Sequence, residues 1–180
     1  MITLRKIFNG IGAVNEWVGR ICHPLILVMS LVVFIEIAAR NLFNRPTVWS
    51  FEVTLFLFAC VSLMSGGILE KHRGHISVDI VVSHLSLKAR TICKIICFPF
   101  FLLFIGAMVY FGSSFFWESM RSWETSGTAW DPYIWPVKIF LPLGAILLLL
   151  QAIVNFVQDI EDAFFRKDAD ATFKKDSLSI

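Results

Sequence analysis

The sequence predicts an all-α integral membrane protein with four transmembrane helices, an amphipathic amino-terminal interfacial helix and a short interfacial helix between spans 2 and 3. Three observations carry this reading. Hydrophobic residues make up 57% of the 180-residue chain and charged residues 17%, with a mean hydropathy of +0.72, whereas a soluble domain has roughly 45–50% and about 25%. Four mostly apolar stretches are long enough for a hydrocarbon core about 30 Å thick, which takes roughly 20 helical residues. Lys and Arg are distributed unequally between the two sets of loops, as the positive-inside rule requires of a spanning protein. The net charge of +2 and the lack of a basic stretch interleaved with aromatics give no footprint for nucleic acid.

Residues 2–22 carry Leu4, Ile7, Phe8, Ile11, Val14, Val18 and Ile21 at spacings of three or four, an apolar stripe along one helical face. Arg5, Lys6, Asn9, Asn15, Glu16 and Arg20 fall largely off that face, so this helix is expected to lie flat in the headgroup layer. Asn15, Glu16 and Arg20 interrupt the apolar run that a cleavable signal needs, so the first span is expected to stay as an uncleaved anchor. Pro24 is expected to turn the chain into that span, because proline suits a first helical turn.

The spans are expected at about 24–43, 51–69, 91–117 and 133–157. Lipid offers the backbone no hydrogen bonds, and the alternation of a barrel strand is absent, so each must be helical. Between spans 2 and 3, Ile76, Val78, Ile80 and Leu85 mingle with His75, Asp79 and His84. A lone strand would leave both its edges unpaired, so a short interfacial helix is expected there, with Ser86 as N-cap of the third span. Pro99 and Pro142 are expected to bend the third and fourth spans. Residues 1–160 form a single four-span domain and 161–180 a cytoplasmic tail. No internal repeat is evident, which argues against paired inverted halves.

Twelve of the sixteen Lys and Arg fall on one side, eleven of them before span 1, between spans 2 and 3, or after span 4 and the twelfth, Lys94, just inside the third span, and four fall on the other side. Both termini are therefore expected in the cytoplasm. Trp49, Trp117, Trp123, Trp130 and Trp135 fall at the opposite, outer boundary, where amphipathic rings favour the headgroup region.

Ionisable residues inside a membrane helix are costly and usually have partners. Glu36 lies about two turns from the outer end of span 1, with Arg40 four residues on and so on the same face. Glu52 opens span 2 just after Trp49, where a helix N-terminus favours negative charge. Arg40 pairing with Glu36 or Glu52 makes this an intramembrane polar cluster or subunit interface; the competing reading makes Glu36 a proton or cation carrier. An adjacent arginine favours the first, since it keeps Glu36 ionised. Ser62 and Gly66 form a small-xxx-small pair beside Gly67, a pattern that permits close helix packing.

Catalytic chemistry lacks its residues. A membrane thiol oxidase needs cysteine pairs in outward loops, and Cys22, Cys60, Cys93 and Cys97 lie in or beside the spans, as small apolar filler would. His72 and His75 form an HxxH pair with His84 nearby, but no matching thiolate or carboxylate completes a zinc set. No P-loop, nucleophile elbow or HExxH motif is present, so no catalytic residue, metal or cofactor is expected.

The run FIEIAARNLFNRPTVWSFEVTLFLFACVSLMSGGILEKHRGHISVDIV resembles the small membrane subunit, DctQ-like, of TRAP transporters, the tripartite ATP-independent periplasmic family. The resemblance rests on the order Arg40, Trp49-x-x-Glu52, Gly66-Gly67, His75 and Val78-Asp79, with WPVKIFLPLGAILLLLQ as last span, and covers most of residues 10–157. It implies a role in sodium-coupled organic-acid uptake with a periplasmic substrate-binding protein. A large multi-spanning subunit would carry substrate and sodium, and this chain would serve as its scaffold and membrane anchor. The alternative is a self-contained proton-coupled homo-oligomeric carrier using Glu36; a redox enzyme with quinone or haem is a third reading.

Overall fold

The computed structural model describes the backbone of residues 2–72 and 87–176, and side chains over 6–72 and 95–161. Helix α1 runs Ile2–Phe43, α2 Ser50–Lys71 and α3 Leu87–Ser122; a single turn, α4, covers Trp135–Lys138, and α5 runs Phe140–Asp176. Four stretches among the described residues are long and apolar enough to cross a membrane: Lys6–Phe43, Ser50–Lys71, Ile95–Ser122 and Trp135–Glu161. They match the four predicted spans. Most of the 70–90 segment expected to form an interfacial helix, including His75, Asp79 and Ser86, lies outside the described residues.

The amino-terminal expectation needs revision. Residues 2–22 do not form a separate helix turned off at Pro24; α1 passes through Pro24 unbroken. An internal proline removes one backbone bond and crowds the preceding turn, at about 3 kcal/mol. Packing on both sides of Pro24 holds the helix together despite this. On the amino-terminal side the buried residues are Gly12, Asn15, Gly19 and Cys22, again at spacings of three or four. Ile7, Val14 and Ile21 of the predicted apolar stripe are exposed. The small and polar face is thus the one against protein, and the apolar stripe is split, with Phe8, Ile11 and Val18 half-buried and Ile7, Val14 and Ile21 facing outward, as suits helices whose surroundings are themselves apolar.

Pairwise contacts give the topology. Gly19 meets Ile68 and Gly12 meets Lys71, which sets α1 antiparallel to α2. Leu63 meets Gly144, Gly66 meets Leu148 and Asn155 bonds Glu70, so α2 and α5 run parallel. Phe98 stacks on Phe156 with centroids 3.7 Å apart, and Gly112 meets Leu141, so α3 is antiparallel to α5. The helices therefore follow one another in space as α1, α2, α5, α3, with α5 the most enclosed.

At Gly144 the neighbour is backbone rather than side chain: a Cβ there would fall 2.2 Å from the Leu63 carbonyl oxygen. Only a glycine lets α2 and α5 pack at that distance. On α3 the buried seam is Ile105, Gly112 and Ser119, a repeat of seven. Pro142 stands third in α5, within its first turn, where a missing N–H leaves no bond broken and no bend is needed.

Candidate functional site

Every Trp of the predicted outer belt lies at one end of the bundle, where α1, α2, α3 and α4 meet the loops 44–49 and 123–134. There Glu36 reaches from α1 to the start of α2. Its Oε1 accepts from Arg40 Nη2 at 3.1 Å, and its Oε2 accepts from the Thr47 amide at 3.0 Å and the Ser50 hydroxyl at 2.9 Å. The Thr47 hydroxyl donates to the same oxygen. One carboxylate thereby joins α1, the connecting loop and the first residue of α2. Arg40 leaves most of its side chain exposed, while the Glu36 side chain is 17% exposed.

Glu52 points elsewhere. It is 5% exposed and accepts from Ser126 Oγ at 3.2 and 3.3 Å, with Thr128 Oγ1 also donating. Among the described residues Arg40 and Glu52 form no ion pair; Arg40 pairs with Glu36 alone. Trp49, half exposed, sits at the N-cap position of α2. The predicted cluster is thus two neighbouring latches, one holding the α1–α2 loop and one holding the α3–α4 loop.

The second loop is itself ordered by its chemistry. Trp123 ends α3 with φ +50°, and the Glu124 amide then donates to the Ser119 carbonyl at 3.1 Å. This is the closure that usually wants glycine. Trp123 instead rests edge-on against Tyr133 and Trp135, at 5.7 and 6.5 Å between centroids, contacts that offset the backbone cost. Thr125 bridges Tyr133, the Ser126 amide donates to Pro132 O, and Gly127 makes the left-handed turn at φ +68°. Lys138 Nζ donates to Glu124 and lies 3.8 Å from the Phe115 ring centroid. That ammonium holds the Glu124 carboxyl below its ordinary pKa.

At the other end of the bundle a chain of neutral amides crosses three helices. Asn15 Nδ2 on α1 donates to Gln151 Oε1 on α5 at 3.0 Å, and Gln151 Nε2 donates to Asn155 Oδ1 at 3.1 Å. Asn155 Nδ2 then donates to the Glu70 carbonyl of α2 at 2.7 Å and to Glu70 Oε1 at 3.0 Å. Asn15, Gln151 and Asn155 are all buried. Asn15 Oδ1 has no hydrogen-bond donor and lies against the α carbon of Gly67, where a Cβ would come within 2.1 Å of it. Beside this ladder Lys71 bonds Glu16 at 2.7 Å and the Gly12 carbonyl at 3.0 Å.

Of the predicted packing residues, Gly67 meets Asn15 and Leu147, and Gly66 meets Leu148, whereas Ser62 is exposed and off that seam. His75 and Asp79 lie outside the described residues. Sequence reasoning passed over Asn15, Gln151, Asn155, Ser126 and Thr128. The signal for the first three was a set of amides spaced along otherwise apolar helices, each needing a partner in lipid. Among the described residues no His, Cys, Asp and Glu side chains gather in a group able to hold a metal ion.

The family model for the DctQ component of tripartite ATP-independent periplasmic transporters matches residues 29–162. The chain is 31% identical over 87 residues, 46% of its length, to the C4-dicarboxylate TRAP transporter small permease protein DctQ of Vibrio cholerae, covering 38% of that protein. It is 30% identical over 109 residues, 61% of its length, to the sialic acid TRAP transporter small permease protein SiaQ of the same organism, covering 60% of it. It is 24% identical over 154 residues, 81% of its length, to the sialic acid TRAP transporter permease protein SiaT of Haemophilus influenzae, covering 23% of it. The chain thus spans less than two thirds of each of these relatives. With the match extending from the middle of α1 well into α5, this chain belongs to the DctQ family of small permease components of TRAP transporters, a transport family and not an enzyme family.

Proposed function

We propose that this chain is the static scaffold and membrane anchor for the large transport subunit of a sodium-coupled, binding-protein-dependent organic-acid uptake system in a bacterial inner membrane. The observation that carries the reading is the cross-bracing at both ends of the bundle. Glu36 and Glu52 tie the loops to α1 and α2 at one end, and the Asn15–Gln151–Asn155–Glu70 ladder ties α1, α5 and α2 at the other. A subunit that moves its cargo across the membrane needs a fixed neighbour to move against. A bundle fastened at both ends, with an α1 that at about 1.5 Å per residue is far longer than the hydrocarbon core, supplies one.

Its partners are a large multi-spanning TRAP membrane subunit and, transiently at the outer face, a periplasmic substrate-binding protein. In the SiaT relative the matching region is 23% of one longer permease protein, an arrangement that favours close association with a larger permease unit. The names of the relatives point to C4-dicarboxylate and sialic acid, both carboxylates, in keeping with an organic acid as cargo. Sodium is assigned to the large subunit. The excess of Lys and Arg favours cytoplasmic termini and an outward Trp-rich end.

The alternative, a self-contained proton-coupled carrier, needs Glu36 to shed and regain its proton. Four donors on that carboxylate favour a fixed anion instead. Co-purification from native membranes in mild detergent separates the two readings. A stoichiometric large membrane protein retained with the tagged chain is the expected result, with uptake largely kept in Glu36→Gln. A stable homo-oligomer with no such companion, and uptake abolished by Glu36→Gln, overturns it.

A further inference from the structure

One stripe of α3 is used by none of these contacts. The seam Ile105, Gly112 and Ser119 turns inward, and beside it the outward face carries two shallow cavities of about 600 and 500 Å³. They share Ser114 and Trp117, so they join into a single furrow running from Gly106 to Ser122.

We propose that this furrow holds one phosphatidylethanolamine molecule, its acyl chain along Gly106–Trp117 and its headgroup between Glu118 and Arg121. Length is the first argument. Gly106 to Trp117 is about 16 Å along a helix axis, against about 15 Å for half of a 30 Å hydrocarbon core. Trp117 to Ser122 adds about 7 Å, close to the depth of one headgroup layer. The furrow therefore has the dimensions of one lipid in one leaflet.

Polarity is the second argument. The inner part of the furrow is made by Gly106, Val109 and Tyr110. Ser113 and Ser114 there donate to the Val109 and Tyr110 carbonyls at 2.6 and 3.1 Å, which leaves neither hydroxyl proton in need of a partner. Gly106 has nothing within 4 Å of where a Cβ would stand, so the trough is open to a chain. The outer part carries both charges.

Arg121 lies over the Trp117 ring, 5.3 Å from its centroid. That stacking occupies the guanidinium face and leaves its N–H edges for a phosphate. Glu118, three residues back on the same face, is exposed and makes no ion pair among the described residues. Its carboxylate suits the primary ammonium of ethanolamine. It repels a purely anionic headgroup, and the quaternary ammonium of choline has no N–H to donate to it.

The test uses the purified full-length chain in mild detergent with an equimolar mixture of phosphatidylethanolamine, phosphatidylcholine and phosphatidylglycerol, read by native mass spectrometry. One phosphatidylethanolamine retained several-fold over each competitor is expected. Arg121→Gln lowers retention of all three lipids, whereas Glu118→Gln keeps a lipid but levels the preference; unchanged helical circular dichroism shows both variants folded. Equal retention of the three lipids by the wild type, or an unaltered preference in both variants, overturns the proposal. A photo-reactive residue in place of Tyr110 adds a second readout in native membranes. Crosslinking to a phospholipid mass is expected, and quantitative crosslinking to another polypeptide assigns the furrow to a partner helix and overturns the lipid.

Discussion

At the Trp-rich end, two carboxylates accept from the hydroxyls and amides of loops; at the opposite end, three neutral amides join helix to helix. The first arrangement secures short connections, where the hydroxyl and amide donors of each loop surround a largely buried carboxylate and each latch governs one loop. The second lies among buried side chains of α1, α2 and α5, where an ionised group is expensive and an amide can both donate and accept. The contrast teaches that the bundle is aligned by the ladder and only finished by the latches. Losing a ladder member should therefore disturb the whole helix arrangement, and losing a latch should free one loop.

The largest expected effect comes from Gln151→Ala. It leaves Asn15 Nδ2 and Asn155 Oδ1 buried without their partners, at a cost of about 2–4 kcal/mol summed over the two groups. Membrane hydrogen bonds often measure less, about 0.6 kcal/mol on average, so the lower end of that range is the safer expectation. Detergent-titrated unfolding should show one cooperative transition moved to milder conditions; a loss confined to local fraying would break the comparison. Gly67→Ala should follow at about 1–3 kcal/mol, as overpacking usually costs, because its Cβ meets Asn15 Oδ1. In an Asn15→Ala background the same substitution should cost clearly less. Additive costs in that double-mutant cycle would mean that Gly67 is needed for another reason.

At the latch end, Glu52→Ala removes the acceptor of Ser126 and Thr128, worth about 1–2 kcal/mol of local order. Hydrogen exchange should quicken over residues 123–134 with little change in α1 and α5. A global loss of stability there would put the two ends on the same footing. The smallest effect is electrostatic. The Glu124 carboxyl is held below its ordinary value of 4.5 by Lys138, so its contribution is present in full above that value. The contribution is lost as pH falls through the lower folded pKa. Protection of the Ile134 amide, which donates to the Glu124 carbonyl at 3.1 Å, taken relative to the intrinsic exchange rate at each pH, should fall on acidification in the wild type and lose that pH response in Glu124→Gln.

The sequence alone determined the four spans, because length and apolarity must match the bilayer whatever the helices pack against. It also determined the Trp-rich end and made Glu36 a neighbour of Arg40, since residues four apart on a helix share a face before any tertiary contact forms, but it left Glu52 open as the other partner of Arg40. What only the tertiary structure decided were the partners of residues far apart in the chain. Glu52 meets Ser126 and Thr128 rather than Arg40, although the connector between α1 and α2 is short, because its rotation about the α2 axis turns it toward the α3–α4 loop. Asn15 had the look of a polar residue facing headgroups, and it is buried against Gln151 and Gly67. Periodicity gives the angle of a residue around its own helix; in a membrane, where lipid and helix are equally apolar, it does not say which side is lipid. That choice is made by small residues such as Gly12, Gly19, Gly67 and Gly144, whose missing side chains let backbones close together and so decide which polar groups meet.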